Sequence, residues 1–90
     1  MKITAVVPCY NEQEALGLFY AELNRVTEEM RDCEFEILFV NDGSKDRTLE
    51  LMKELAEKDG RVKYISFSRN FGKEAAIYAG LEHASGGLVA

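Results

Sequence analysis

The sequence predicts an α/β chain, a βαβαβα succession that runs into the start of a fourth strand, with a mainly parallel sheet and flanking helices. Short β-rich apolar runs alternate with longer segments whose apolar residues recur at helical spacing, the pattern of strands joined by crossover helices. The apolar run Phe35-Glu36-Ile37-Leu38-Phe39-Val40-Asn41 also passes directly into Asp42-Gly43-Ser44-Lys45-Asp46-Arg47-Thr48. That acidic, Gly-containing turn falls at a strand end, where open α/β sheets bind ligands.

Ile3-Thr4-Ala5-Val6-Val7 reads as the first strand and leads into Pro8-Cys9-Tyr10-Asn11-Glu12. Pro8 fixes the local backbone and is expected to push Cys9 and Tyr10 away from the strand direction, so that the Tyr10 ring faces the crevice. From Glu12 to about Met30 a helix follows, with Ala15, Leu16, Phe19, Leu23, Val26 and Met30 on one face and Glu14, Glu22, Arg25 and Glu29 left to solvent. The strand over 35–41 comes next. A second helix spans about Asp46 to Lys58 on the stripe Leu49, Met52, Leu55 and Ala56, with Ser44 or Asp46 placed to cap its first amides and Asp59-Gly60 to end it. Val62-Lys63-Tyr64-Ile65-Ser66-Phe67 alternates as a third strand. The segment from Phe71 to about Ser85 forms a helix rich in small residues, Ala75, Ala76, Ala79 and Ala84, which permit close packing on a sheet. Ser85-Gly86-Gly87 stops it, and Leu88-Val89-Ala90 begins a fourth strand. No repeat, low-complexity tract or linker divides residues 1–90, so one unit is expected, truncated within strand four.

With 47% hydrophobic and 30% charged residues in a chain of 90, the composition is that of a globular protein and excludes disordered and collagen-like classes. The net charge of −5, with Lys and Arg scattered along the chain, argues against a nucleic-acid-binding face. Any phosphate site must be local. Cys9 and Cys33 form no Cys-x-x-Cys pair and have no His cluster beside them, so two free thiols in a reducing cytosol are expected. No stretch approaches the roughly 20 apolar residues that span a bilayer, and the expected location of this segment is the cytoplasm.

At the first strand end Tyr10 could stack a planar base while Asn11 and Glu12 bond sugar hydroxyls. Equally, Tyr10 could cover the sheet end and its two neighbours hold the loop or cap the next helix, and on these residues alone that plainer role is favoured. At the second end the Asp42 carboxylate can accept from a base N–H or a ribose hydroxyl, with Gly43 letting the backbone turn beside the ligand. Asp, Gly and Ser are also ordinary turn residues, and Asp46 and Thr48 could serve only the helix start. At the third, Ser68-Arg69-Asn70-Phe71-Gly72-Lys73 offers a cation and backbone amides at a helix start, a geometry that suits a diphosphate. Lys73 is the best candidate contact there, against a solvated first-turn lysine, while Arg69 is expected at most to bridge to a surface acid. The Gly72-Lys73 pair is not a P-loop, because Phe67 stands where the earlier glycine is required and Glu74 follows Lys73. His83, late in a helix, is assigned no chemistry.

Taken together, Val6-Val7-Pro8-Cys9-Tyr10-Asn11-Glu12, Val40-Asn41-Asp42-Gly43-Ser44-Lys45-Asp46-Arg47-Thr48 and Ser68-Arg69-Asn70-Phe71-Gly72-Lys73-Glu74-Ala75-Ala76 resemble family 2 glycosyltransferases, nearest to the polyprenyl-phosphate and dolichyl-phosphate branch. The resemblance spans essentially the whole chain. It implies the Rossmann-like, nucleotide-binding half of a GT-A fold. Tyr10 would stack on the base, Asp42 would recognise base or ribose, and Pro8, Asn11 and Glu12 would line the pocket; beside these, Ser44 and Lys73 are expected among the nucleotide contacts. It further implies a nucleotide-sugar donor, UDP-linked in preference to GDP-linked, and a polyprenyl-phosphate or saccharide acceptor. Mg²⁺ or Mn²⁺ would be held by an Asp-x-Asp-type motif beyond Ala90, and neither a metal ligand nor a catalytic residue is expected within this chain. The acceptor-side carboxylate and membrane helices would also follow Ala90, so the intact protein could act at the cytoplasmic face of a membrane. The alternatives are a noncatalytic nucleotide-binding or regulatory module and a structural assembly domain. An exposed sheet edge would in any case favour self-association.

Overall fold

The computed structural model describes residues 2–30, 32–83 and 88–89. Four strands, β1 (Lys2–Cys9), β2 (Glu34–Asn41), β3 (Val62–Ser66) and β4 (Leu88–Val89), alternate with helices α1 (Leu16–Glu29), α2 (Thr48–Lys58) and α3 (Lys73–His83). The strands lie in the order β3-β2-β1-β4 and every pair is parallel. Cys9 stands opposite Asn41 and Asn41 opposite Ser66, so the first three strands end level and deliver their loops to one place. β4 pairs with the other side of β1 through Ile3↔Leu88 and Thr4↔Val89. The strand order therefore reverses at β1, the kind of switch point beside which α/β sheets open a crevice.

Side-chain alternation assigns the layers. Val7, Cys9, Ile37 and Phe39 point to the face covered by α1 and α2, where Leu16 and Met52 join them in the buried core. The opposite face takes α3. There Ala76 and Gly80 are buried, and a Cβ on Gly80 would come within 2.3 Å of Val6 Cγ1. The small residues of this helix thus allow the close approach that the composition predicts. β2, in the middle, is buried from Glu36 through Asn41, as a strand covered on both faces must be.

Two expectations need correction. Pro8 does not turn the chain out of the strand: it lies within β1, opposite Val40, and β1 continues to Cys9. The Cys9 carbonyl accepts from Asp42 N at 2.8 Å, so the polar groups of Cys9 face β2 and those of Pro8 face the other side. On that side β4 pairs with Ile3 and Thr4, and among the described residues no strand lies opposite Pro8. The inward face of α1 is also rotated from the apolar stripe. Leu16, Tyr20, Leu23 and Thr27 turn inward, whereas Phe19, Val26 and Met30 are exposed. The reason is polar. The Tyr20 hydroxyl donates to Asp59 Oδ2 at 2.8 Å, and Arg61 Nη1 donates to Thr27 Oγ1 at 3.1 Å, bonds that tie α1 to the α2–β3 turn.

Helices also begin later than periodicity alone suggests. Glu12 to Ala15 form turns before α1, Asp46 precedes α2, and Phe71 and Gly72 precede α3. Each displaced segment belongs to a loop at the carboxyl edge of the sheet. The expected helix stop at Ser85-Gly86-Gly87 lies outside the described residues.

Candidate functional site

Three loops meet above the level strand ends. In the β1–α1 loop, Asn11 adopts φ 52°, a left-handed conformation that Asn tolerates better than most residues. This turns its backbone N–H toward Ser44 Oγ at 2.9 Å, while its Oδ1 accepts from Lys45 N at 2.8 Å. Glu12 N donates to Thr48 Oγ1 at 2.8 Å, and Gln13 N to Asp46 Oδ2 at 3.2 Å. The N-cap of α2 is Arg47, without a side-chain cap bond, and Asp46 just before it accepts from Thr48 N through Oδ1 at 2.9 Å. Desolvation would raise the Asp46 carboxyl, but the Thr48 hydroxyl, joined by the Thr48 and Gln13 amides, holds it below the usual carboxylate range. Asn11, Ser44 and Asp46 are therefore engaged in joining the β1–α1 and β2–α2 loops. Ser44 N also donates to Asn41 Oδ1 at 3.1 Å, and Asn41 Nδ2 donates to Ser66 Oγ at 3.1 Å, carrying the same stitching to β3.

Asp42 is engaged differently. Only 3% exposed, its carboxylate accepts from Phe71 N at 2.8 Å through Oδ1, and from Gly72 N at 3.1 Å and Asn70 Nδ2 at 3.2 Å through Oδ2. Buried ionised groups need such partners, because leaving water without them is costly. Two of the loop amides expected as part of a diphosphate cradle, those of Phe71 and Gly72 just before α3, are thus already bonded to a carboxylate of the chain itself. Lys73, the first residue of α3, is exposed.

Asp42 and Lys73 line one cavity of about 200 Å³ with Pro8, Cys9, Tyr10 and Glu12. Of the residues the sequence singles out, the structure brings Pro8, Tyr10, Glu12, Asp42 and Lys73 together, and leaves Asn11 and Ser44 as loop ties beside them. Tyr10 is 43% exposed, so its ring keeps free surface on which a planar group could lie. Glu12 and Asp42 supply acceptors, Lys73 a cation. Cys9 adds an apolar wall and no nucleophile. Burial, helped by the charge of Glu12, pushes its thiol up to about 12, so it stays protonated at neutral pH.

Two residues escaped the sequence reading. Cys9 lines the cavity because β1 continues past Pro8, and Asn70 holds Asp42. Arg69 does not reach a surface acid among the described residues; its guanidinium lies 4.6 Å from the centroid of the Phe71 ring, which in turn meets Phe67 edge-on at 5.5 Å. A larger cavity of about 550 Å³ opens at the opposite end of the sheet, with Lys2, Cys33, Glu36 and Arg61 in its wall. It lies at the amino ends of the strands, and the guanidinium of Arg61 is already bonded to Asp59, Asn24 and Thr27. The carboxyl-edge cavity is the better candidate. Among the described residues, no three His, Cys, Asp or Glu side chains gather as a metal site.

Fold and cavity define an open parallel α/β protein whose ligand crevice lies at the carboxyl ends of its strands. Residues 4–90 match the model of glycosyl transferase family 2, and the chain belongs to that family. It is 51% identical over 89 residues to a prophage bactoprenol glucosyl transferase homolog of Escherichia coli K12, covering 99% of this chain and 29% of that protein. It is 52% identical over 89 residues to the bactoprenol glucosyl transferase of Shigella phage SfV, with the same coverages of 99% and 29%. The chain thus spans under a third of the length of these curated relatives. Among solved structures, it superposes on residues 1–349 of S. aureus TarS with a TM-score of 0.80 at 26% identity, covering 99% of this chain and 26% of that one. A mannosyltransferase from Pyrobaculum calidifontis, solved with GDP-Man and Mn²⁺, matches with a TM-score of 0.74 at 28% identity, over 97% of this chain and 25% of that one. The architecture is the Rossmann-like part of the GT-A fold.

Proposed function

We propose that this chain is the nucleotide-sugar-binding part of a glycosyltransferase that moves a sugar from a nucleotide donor to a polyprenyl-phosphate or saccharide acceptor. The observation that carries the reading is the convergence of Pro8, Tyr10, Glu12, Asp42 and Lys73, from three strand ends, on one cavity. Each has a distinct part in holding a nucleoside diphosphate. The Tyr10 ring stacks on the base, the Asp42 carboxylate accepts from a base or ribose donor, Glu12 accepts from sugar hydroxyls, and Lys73 neutralises phosphate charge. Asn11 and Ser44 act indirectly, by fixing the loop that carries Tyr10.

The names of the relatives support a glucosyl donor and a polyprenyl acceptor, which favours a UDP-linked sugar. The mannosyltransferase bound to GDP-Man keeps a GDP-linked donor in view. That neighbour also holds Mn²⁺, and we assign Mg²⁺ or Mn²⁺ to the whole enzyme. The described residues of this chain gather no set of ligands for such an ion, and the catalytic and metal-binding groups are assigned to the part of the relatives' length that residues 1–90 do not span. On this reading residues 1–90 are the first part of a larger catalytic domain, inactive by themselves. No described helix is long and apolar enough to cross a membrane.

The test is a calorimetric titration with UDP and GDP, with and without Mn²⁺, using Asp42→Ala as control and thermal melting to establish that both forms are folded. Binding that Asp42→Ala weakens by about ten-fold or more is the expected result, and the tighter nucleotide identifies the base. A folded full-length protein that binds neither would remove the reading.

A further inference from the structure

We propose that Asn70 is a positioning residue that fixes the Asp42 carboxylate, and so the base-selecting edge of the cavity, before any nucleotide arrives. The inference rests on the nucleotide-site reading above and adds a residue outside the cavity wall.

The amide nitrogen of Asn70 directs both of its hydrogens to one residue. Nδ2 donates to the backbone carbonyl of Asp42 at 3.1 Å and to its Oδ2 at 3.2 Å. The reverse amide orientation would set Oδ1 against two acceptors, so the partners dictate the rotamer. A side chain bonded to both the main chain and the carboxylate of the same residue clamps the torsions between them. Phe71 N and Gly72 N complete the clamp from the same loop.

The backbone makes the arrangement stiff. Gly43, with φ 70°, lies so close to the β3–α3 loop that a Cβ there would fall 2.2 Å from Arg69 C and 2.3 Å from Asn70 N. The two loops therefore touch main chain to main chain beside Asp42, and Asn70 fastens the contact from its other side.

The consequence is selective. A carboxylate has about four acceptor positions, and the three bonds just named use one on Oδ1 and two on Oδ2. The remaining position belongs to Oδ1 of a residue that lines the cavity. An acceptor held in one direction favours a base that presents a ring N–H, such as uracil, over cytosine, which presents a bare ring nitrogen at the same place. A carboxylate free to rotate would discriminate less, because each base could recruit its own rotamer. Holding it in the free protein removes that ordering cost from binding.

The test is a double-mutant cycle in the full-length protein, read by calorimetric affinity for UDP, GDP and CDP. The tighter of UDP and GDP carries the cycle. Asn70→Ala should weaken it about ten-fold or more, the effect of losing charge-assisted hydrogen bonds, and narrow its preference over CDP. In an Asp42→Ala background the same change should cost no more than about two-fold, because the group through which Asn70 acts is gone. Asn70→Leu, which nearly keeps the shape and removes both donors without adding a charge, should repeat the loss, and melting curves show that each variant is folded at the assay temperature. If Asp42→Ala melts too low, the whole cycle is read at a lower temperature at which every variant is folded. Unchanged affinity in both Asn70 variants overturns the inference and leaves the nucleotide site standing. Equal losses in the two backgrounds also overturn it, since Asn70 would then act by itself. Failure of the unmodified protein to bind any of the three nucleotides removes the nucleotide site and this inference together.

Discussion

At the scale of single residues, Gly43 is the position least open to change. Its φ of 70° is left-handed, and any Cβ would press on the backbone of Arg69 and Asn70. Gly43→Ala should therefore lose about 1–2 kcal/mol for the backbone conformation and about 1–3 kcal/mol for overpacking against atoms that cannot rotate aside. Against a total stability of about 5–15 kcal/mol, that is a large fall in melting temperature, measurable by circular dichroism. A variant that melts with the parent would show that the two loops do not touch. Gly72 is a contrast. It has φ 100°, but a Cβ there would meet nothing within 4 Å, so its requirement is conformational alone. The place of Asp42 and Tyr10 at strand ends is legible in the sequence because apolar runs stop beside them, and that of Lys73 because it opens the helix after the third. That Asp42 would be bonded by Asn70 is not legible: 28 residues separate them, and only the approach of two loops brings them together.

At the scale of elements, the α2–β3 turn carries a network with its own pH dependence. Asp59 accepts from the Tyr20 hydroxyl and from Arg61, which also reaches Asn24 and Thr27 of α1. The hydrogen bond from the Arg61 side chain, joined by the Arg61 amide and the Tyr20 hydroxyl, outweighs desolvation and holds the Asp59 carboxyl well below the usual carboxylate range. The folded chain thus keeps this group ionised at pH values where the unfolded chain has taken up a proton. Its stabilising contribution is complete above the unfolded value of about 4 and is lost as pH falls below it. Asp59→Asn should lower the melting temperature near pH 7 by roughly 4–8 °C, about 1 kcal/mol for a domain of this size. The gap to the parent should shrink as pH approaches about 2, and a gap of constant size would exclude the carboxylate as its source. The same network explains why the order of elements could be read while the face of α1 could not. Strand and helix periods are local properties, but Tyr20 and Thr27 turn inward for partners that arrive from another turn, and an apolar stripe carries no record of them.

At the scale of the whole molecule, α3 is the element with two demands on it. One side packs Ala76 and Gly80 against the sheet, while Ile77, Tyr78 and Leu81 stand exposed, Tyr78 at 65%. A helix apolar on both sides belongs between two layers, and here one layer is the sheet. On the proposed reading, the other layer comes from the part of the enzyme that residues 1–90 do not span. Residues 1–90 alone should then expose a contiguous apolar patch and associate through it, since patches of this kind promote contact between copies. Sedimentation velocity at rising concentration should show the weight-average mass climbing above the 10.1 kDa of the chain. Tyr78→Glu with Leu81→Glu should return it to a monomer. Because both side chains are exposed, the melting temperature should change little: surface substitutions typically fall within about 0.5 kcal/mol of neutral. Monomeric behaviour of the unsubstituted chain would mean that α3 needs no second layer. Association that survives both substitutions would move the contact to another surface, with the unpaired sheet edge the next to examine.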